Sequence, residues 1–124
     1  MRLPNVLQVG NHRYKVFAKR KVSLDGDPVY GFIDADKKVI EIEIQKSKLE
    51  IQETFLHEVL HSIGWEAGIK QLQTDKYNLV DRIARALLDV IRVNNLSQYL
   101  KGESWIRRKL RATFVSPVKV KGRR

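Results

Sequence analysis

His57, Glu58 and His61 stand in the order His-Glu-x-x-His within Glu53-Thr54-Phe55-Leu56-His57-Glu58-Val59-Leu60-His61-Ser62-Ile63-Gly64-Trp65. Residues four apart on an α-helix share a face, so both imidazoles can offer a nitrogen to one metal ion about 2.0–2.1 Å away, a zinc distance. Glu58 projects about 100° further round the helix and can reach a water on that ion without ligating it. Zinc lowers the pKa of such a water toward neutrality, and a carboxylate in that place can take its proton and deliver it to a leaving amine. That chemistry is peptide-bond hydrolysis. The same five residues also occur in plain amphipathic helices, where both histidines are ordinary polar side chains. Placement on the helical wheel favours the metal: Leu49, Phe55, Leu56, Val59, Leu60 and Ile63 form one apolar stripe, and the two histidines fall together at its edge, where a cleft wall would lie.

The elements that must carry this motif can be read from periodicity. His12 to Arg20, Pro28 to Ile33 and Val39 to Ile44 alternate with period two and read as strands, with turns at Asp25-Gly26-Asp27-Pro28 and Asp34 to Lys38. From Lys48 the period becomes 3.6, and Gly64 or Gly68 can end the motif helix. A second helix opens at Thr74-Asp75 and runs to Asn94-Asn95 with Val80, Ile83, Ala84, Leu87, Leu88 and Ile91 inward, and a third occupies Leu96 to Leu110. Strands followed by helices predict an α+β fold, a small antiparallel sheet of about three strands packed on two or three helices. One domain is expected over residues 1–115, with a basic tail at 116–124.

Tyr30-Gly31-Phe32-Ile33-Asp34, Lys38-Val39-Ile40-Glu41-Ile42 and the Glu53 to His61 motif resemble the small single-domain zinc-peptidase-like proteins of bacteriophages and prophages, over about residues 28–95. The resemblance implies a zinc-dependent peptidase mechanism more firmly than any substrate. It also implies that an edge strand before the motif helix aligns the substrate, which here would be Val39 to Ile44. A catalytic zinc site needs three protein ligands and an open position. Metzincin peptidases continue the motif to a third histidine and a Met-turn; here Ala67 stands at that position and Met1 is the sole methionine, which excludes them. In gluzincins the third ligand is an acidic residue on the next helix, about twenty residues on. Asp81 occupies that place and is the candidate ligand, with a surface pair to Arg85 as the alternative. Gluzincins place Glu there with a further acidic residue four on, where this chain has Asp81 and Arg85. Tyr77, one turn earlier, is a candidate ligand or phenol donor to a developing oxyanion, with simple packing as the alternative. His12 reads as a strand histidine.

Composition frames these readings. The 124 residues include 24 Lys and Arg, 14 Asp and Glu and no cysteine, for a net charge of +10. Without cysteine there is no disulfide framework or thiol nucleophile, and any metal must be held by His and carboxylates. The charge divides into +6 over residues 1–24, −4 over residues 25–97 and +8 over residues 98–124, so the basic flanks enclose an acidic middle that holds the motif. No apolar run is long enough to span a bilayer, and no secretion signal opens the chain, which predicts a soluble protein of the cytoplasm. Arg107, Arg108, Lys109 and Arg111, interleaved with Trp105, Ile106 and Leu110, suit phosphate contacts to nucleic acid. Two rival readings follow. The bacterial zinc endoribonucleases of ribosomal RNA maturation share His57, Leu60, His61 and Gly64 with this chain but differ at Glu58 and Ala67. The other rival is a non-enzymatic basic module, binding nucleic acid or protein, whose metal site is structural or degenerate.

Overall fold

Alternation and turn chemistry build the N-terminal half. The computed structural model describes residues 3–100. Strand β1 (Val6–Val9) turns at Gly10, whose φ of 61° suits a tight hairpin, into β2 (His12–Lys19), which buries Tyr14 and Val16 on alternate positions. Two short strands, β3 (Ser23–Leu24) and β4 (Asp27–Pro28), flank Asp25 and Gly26, both at positive φ. Strands β5 (Gly31–Asp34) and β6 (Val39–Glu43) form a hairpin whose turn is tied by the Asp34 carboxylate accepting from the Asp36 and Lys37 amides.

The fold is α+β. Its main sheet differs in detail from the expected three antiparallel strands. It has four, in the order β1-β2-β6-β5, and β6 lies parallel to β2. The reason lies in burial: Ile40 and Ile42 are fully buried, making β6 the strand best kept from an edge, whereas every residue of β5 is only half-buried. The added strand, β1, is a short run that alternation alone does not separate from a loop.

Helix α1 (Lys48–Ala67) begins with a capping box, in which the Ser47 side chain accepts from the Glu50 amide and Glu50 accepts from the Ser47 amide. It continues through Gly64 and stops at Gly68, at φ 69°. One flank packs Ile51 and Phe55 on the sheet core of Tyr14, Val16, Ile40 and Ile42. The other packs Leu56, Leu60 and Ile63 on Val80 and Ala84 of helix α2 (Leu79–Val93). Between the helices the chain makes 3-10 turns at Lys70–Leu72 and Lys76–Asn78. The second helix therefore starts at Leu79 rather than at Thr74-Asp75, because Tyr77 and Asn78 both adopt left-handed backbone angles.

The described residues divide into two units, one ending at Leu88 and the other beginning at Asp89. The described part of the second unit holds the end of α2 and a short helix, α3 (Ser97–Leu100). The expected third helix beyond that point, the basic residues Arg107, Arg108, Lys109 and Arg111, and the 116–124 tail lie outside the described residues. Among the described residues no helix is long and apolar enough to cross a membrane.

Candidate metal centre

The motif residues sit in the third and fourth turns of α1, between the sheet and α2. The Nε2 atoms of His57 and His61 face each other at 3.1 Å. Their outer nitrogens meet acceptors: His61 Nδ1 donates to the Leu72 carbonyl at 2.8 Å, and the Asp81 carboxylate stands 3.6 Å from His57 Nδ1. The Leu72 carbonyl cannot donate, so it favours the His61 tautomer with its proton on Nδ1, and the lone pair of His61 Nε2 is then turned toward His57 Nε2. The Asp81 carboxylate lies beyond hydrogen-bond distance of His57 Nδ1 and faces it as a charge. Burial lowers the His61 pKa, which disfavours a proton as the cation shared there.

Gly64 makes the His61 contact possible. A Cβ at Gly64 would lie 2.7 Å from the Leu72 backbone carbon, so only glycine lets the 70–72 turn come close enough for its carbonyl to reach His61. The Gly64 carbonyl also accepts from the Ile69 amide and from Gln73 Nε2, which ties the same turn to the helix.

Glu58 is buried, 5% exposed, and no hydrogen bond from the described residues stabilises its carboxylate. Desolvation first, and the charge of Asp75 second, push its pKa up to about 8. A buried carboxyl without a donor is costly to the fold in its ionised form. Together with His57 it lines a cleft of about 310 Å³ whose other walls include Tyr30, Gly31, Glu53 and Arg85.

The other anticipated residues divide. Asp81 reaches the site, but its carboxylate meets the outer nitrogen of His57 and the Arg85 guanidinium, at 3.2 Å, and so lies away from the paired Nε2 atoms. Tyr77 does not reach it. Its φ of 57° breaks the helix on which it was placed one turn before Asp81, and its side chain is 81% exposed beside Lys70 and Arg82, outside the Glu58 cleft. His12 stands 3.3 Å from Glu66, which also accepts from Tyr14 and Lys38, both at 2.6 Å; this cluster ties the end of α1 to β2. The expected aligning strand, Val39 to Ile44, is paired on both sides, so the edge beside the cleft belongs to β5.

One residue was passed over. Asp75 entered the sequence reading only as part of the Thr74-Asp75 helix start, and the helix begins at Leu79. In the fold its Oδ1 caps α2, accepting from the Val80 amide at 2.9 Å and the Asp81 amide at 3.3 Å. Its Oδ2 stands 4.0 Å from His57 Nε2. The Thr74-Asp75 capping signal was the one sequence cue to it.

Two Nε2 atoms 3.1 Å apart subtend about 98° at a point ~2.05 Å from each, close to the tetrahedral angle that zinc adopts. Two imidazoles with acceptors facing their outer nitrogens, beside carboxylates, are a donor set suited to zinc. Among the described residues no three His, Asp or Glu side chains are already closed round one point. No family model matches the chain, and no curated protein or solved structure is significantly similar to it.

Proposed function

We propose that this protein is a zinc-dependent peptidase in which His57 and His61 hold the metal and Glu58 is the general base. The observation that carries the reading is the pair of Nε2 atoms at 3.1 Å, held by outward-facing Nδ1 contacts and flanked by a buried carboxyl. A bound zinc ion supplies a water of lowered pKa and a Lewis acid for a carbonyl oxygen. The rest falls to the chain. Glu58, one residue beyond the first ligand, accepts the proton of the attacking water and returns it to the leaving amine. Burial raises its proton affinity in the metal-free chain, and a cation bound beside it would favour the ionised form that accepts a proton.

The free edge of β5 gives an extended peptide a set of backbone groups to pair with, along the cleft wall formed by Tyr30 and Gly31. At Gly31 a Cβ would fall 2.9 Å from Thr54 Cγ2 of α1, so strand and motif helix touch here without any side chain between. A peptide added to this edge would be carried straight past Glu58.

The test begins with zinc content of the full chain by mass spectrometry. Wild type and Glu58→Gln are then compared on casein, short peptides and RNA. Zinc in both proteins with peptide cleavage only in the wild type is the expected result. Cleavage of RNA alone would favour an endoribonuclease, and a protein that takes up no zinc would end both enzyme readings.

A further inference from the structure

The metal reading leaves the third ligand open, and the fold offers two carboxylates that occupy different sides of His57. Asp81 stands against Nδ1, at 3.6 Å. Asp75 stands against Nε2, at 4.0 Å through Oδ2. One imidazole cannot direct its metal-binding nitrogen toward both. Since His61 Nε2 lies on the Nε2 side of His57, the ligand face is the face of Asp75.

We propose that Asp75 supplies the third protein ligand and that Asp81 is a positioning residue, orienting His57 through its outer nitrogen. The inference rests on the zinc reading above. Tetrahedral bonds of ~2.0–2.1 Å set neighbouring ligand atoms about 3.3 Å apart, so Oδ2, now 4.0 Å from His57 Nε2, must close on both imidazoles to complete the set. Its carboxylate is held at one end, because Oδ1 accepts from two amides at the start of α2, and Oδ2 is the oxygen left to turn toward the histidines. The two histidines are then oriented in matching ways, one by the Leu72 carbonyl and one by the Asp81 carboxylate, as zinc-bound imidazoles generally are.

Zinc affinity of the full chain, measured by competition with a chromogenic chelator, separates the roles. Asp75→Asn keeps a capping oxygen for α2 and removes the ligand charge; Asp75→Ser keeps a cap by a different side chain. Both are expected to weaken zinc binding beyond the ~100-fold ceiling of an outer-shell loss, while Asp81→Asn weakens it about 10- to 100-fold. Far-ultraviolet circular dichroism of the metal-free variants checks that the helices remain. Asp75 variants that bind zinc within about threefold of wild type would overturn the assignment, as would Asp81→Asn showing the larger loss. Wild type that binds no zinc would overturn the underlying function as well, so the two failures are distinguishable.

Discussion

Replacing Glu58 by Gln removes a buried ionisable group while keeping its shape, and the fold gives the consequence a sign. In the metal-free protein the carboxyl keeps its proton up to about pH 8, against an ordinary value of 4.5. Between those limits the unfolded chain has lost the proton and the folded chain retains it, so wild-type stability falls as pH rises. At ~1.36 kcal/mol per unit, the cost accumulated between pH 5 and pH 8 is on the order of 4 kcal/mol. Gln carries no such cost. His61 acts in the opposite sense: its lowered pKa gives a contribution that grows as pH rises through its titration range, but it is common to both proteins. The difference between them therefore isolates Glu58. Urea unfolding in the presence of a chelator should show Glu58→Gln gaining several kcal/mol on wild type from pH 5 to pH 8. Saturating zinc should shrink that gain, because a cation beside the carboxylate favours its ionised form. A stability difference that stays flat across this range would refute the buried, donor-free environment on which the general-base role depends.

Three further outcomes follow from contacts in the same unit. Gly64→Ala forces a Cβ to within 2.7 Å of the Leu72 backbone; a loss of about 1–3 kcal/mol in urea unfolding is expected, with weaker zinc binding as the His61 acceptor is displaced. Gly31→Ala, 2.9 Å from both the Glu41 carbonyl and Thr54 Cγ2, pushes the β5 edge from α1; kcat/KM on peptides should fall while zinc affinity is kept. Glu66, whose pKa is lowered first by the Lys38 hydrogen bond and then by Tyr14, stabilises the fold above its unfolded pKa and loses that contribution as pH falls through its lowered value. Glu66→Gln should accordingly be less stable than wild type at pH 7, with the gap closing in acid melts.

Periodicity locates β2, β6 and α1, while the expected Pro28–Ile33 strand divides between β4 and β5 and the expected second helix begins at Leu79 rather than at Thr74-Asp75. The His57-Glu58-His61 geometry was legible too, since spacing within one helix depends on helix geometry alone. What spacing cannot supply is anything that crosses a break in that geometry. Tyr77 and Asp81 were placed on one continuous helix from Thr74-Asp75, and that helix fails at Tyr77 and Asn78. Sheet order is illegible for a similar reason: alternation marks strands but does not pair them, so the parallel β2–β6 contact and the β5 edge emerge only when the two strands with fully buried side chains, β2 and β6, take the centre. Glu58 was expected to reach a water, and its 5% exposure is a product of tertiary packing that spacing within α1 does not give.

The break at Tyr77 is itself what brings Asp75 to the histidines, and this gives a test that leaves the metal untouched. Two successive non-glycine residues at φ 57° and φ 55° reverse the chain, so that Asp75 caps α2 from below and presents its other oxygen to His57. Left-handed backbone costs a residue such as Tyr roughly 1–2 kcal/mol, which glycine avoids, while glycine gives back about 0.5–1 kcal/mol in chain entropy. The exposed ring loses only a 5.5 Å contact with the Lys76 ammonium, about 0.5 kcal/mol at the surface. These terms nearly cancel, so Tyr77→Gly should unfold within about 1 kcal/mol of wild type, whereas removing a packed aromatic would cost about 3–5 kcal/mol. Zinc affinity should be unchanged, because the turn keeps its shape and the phenol lies outside the cleft. A large loss of either quantity would mean that Tyr77 folds inward onto the site, and the path by which Asp75 reaches His57 would have to be redrawn.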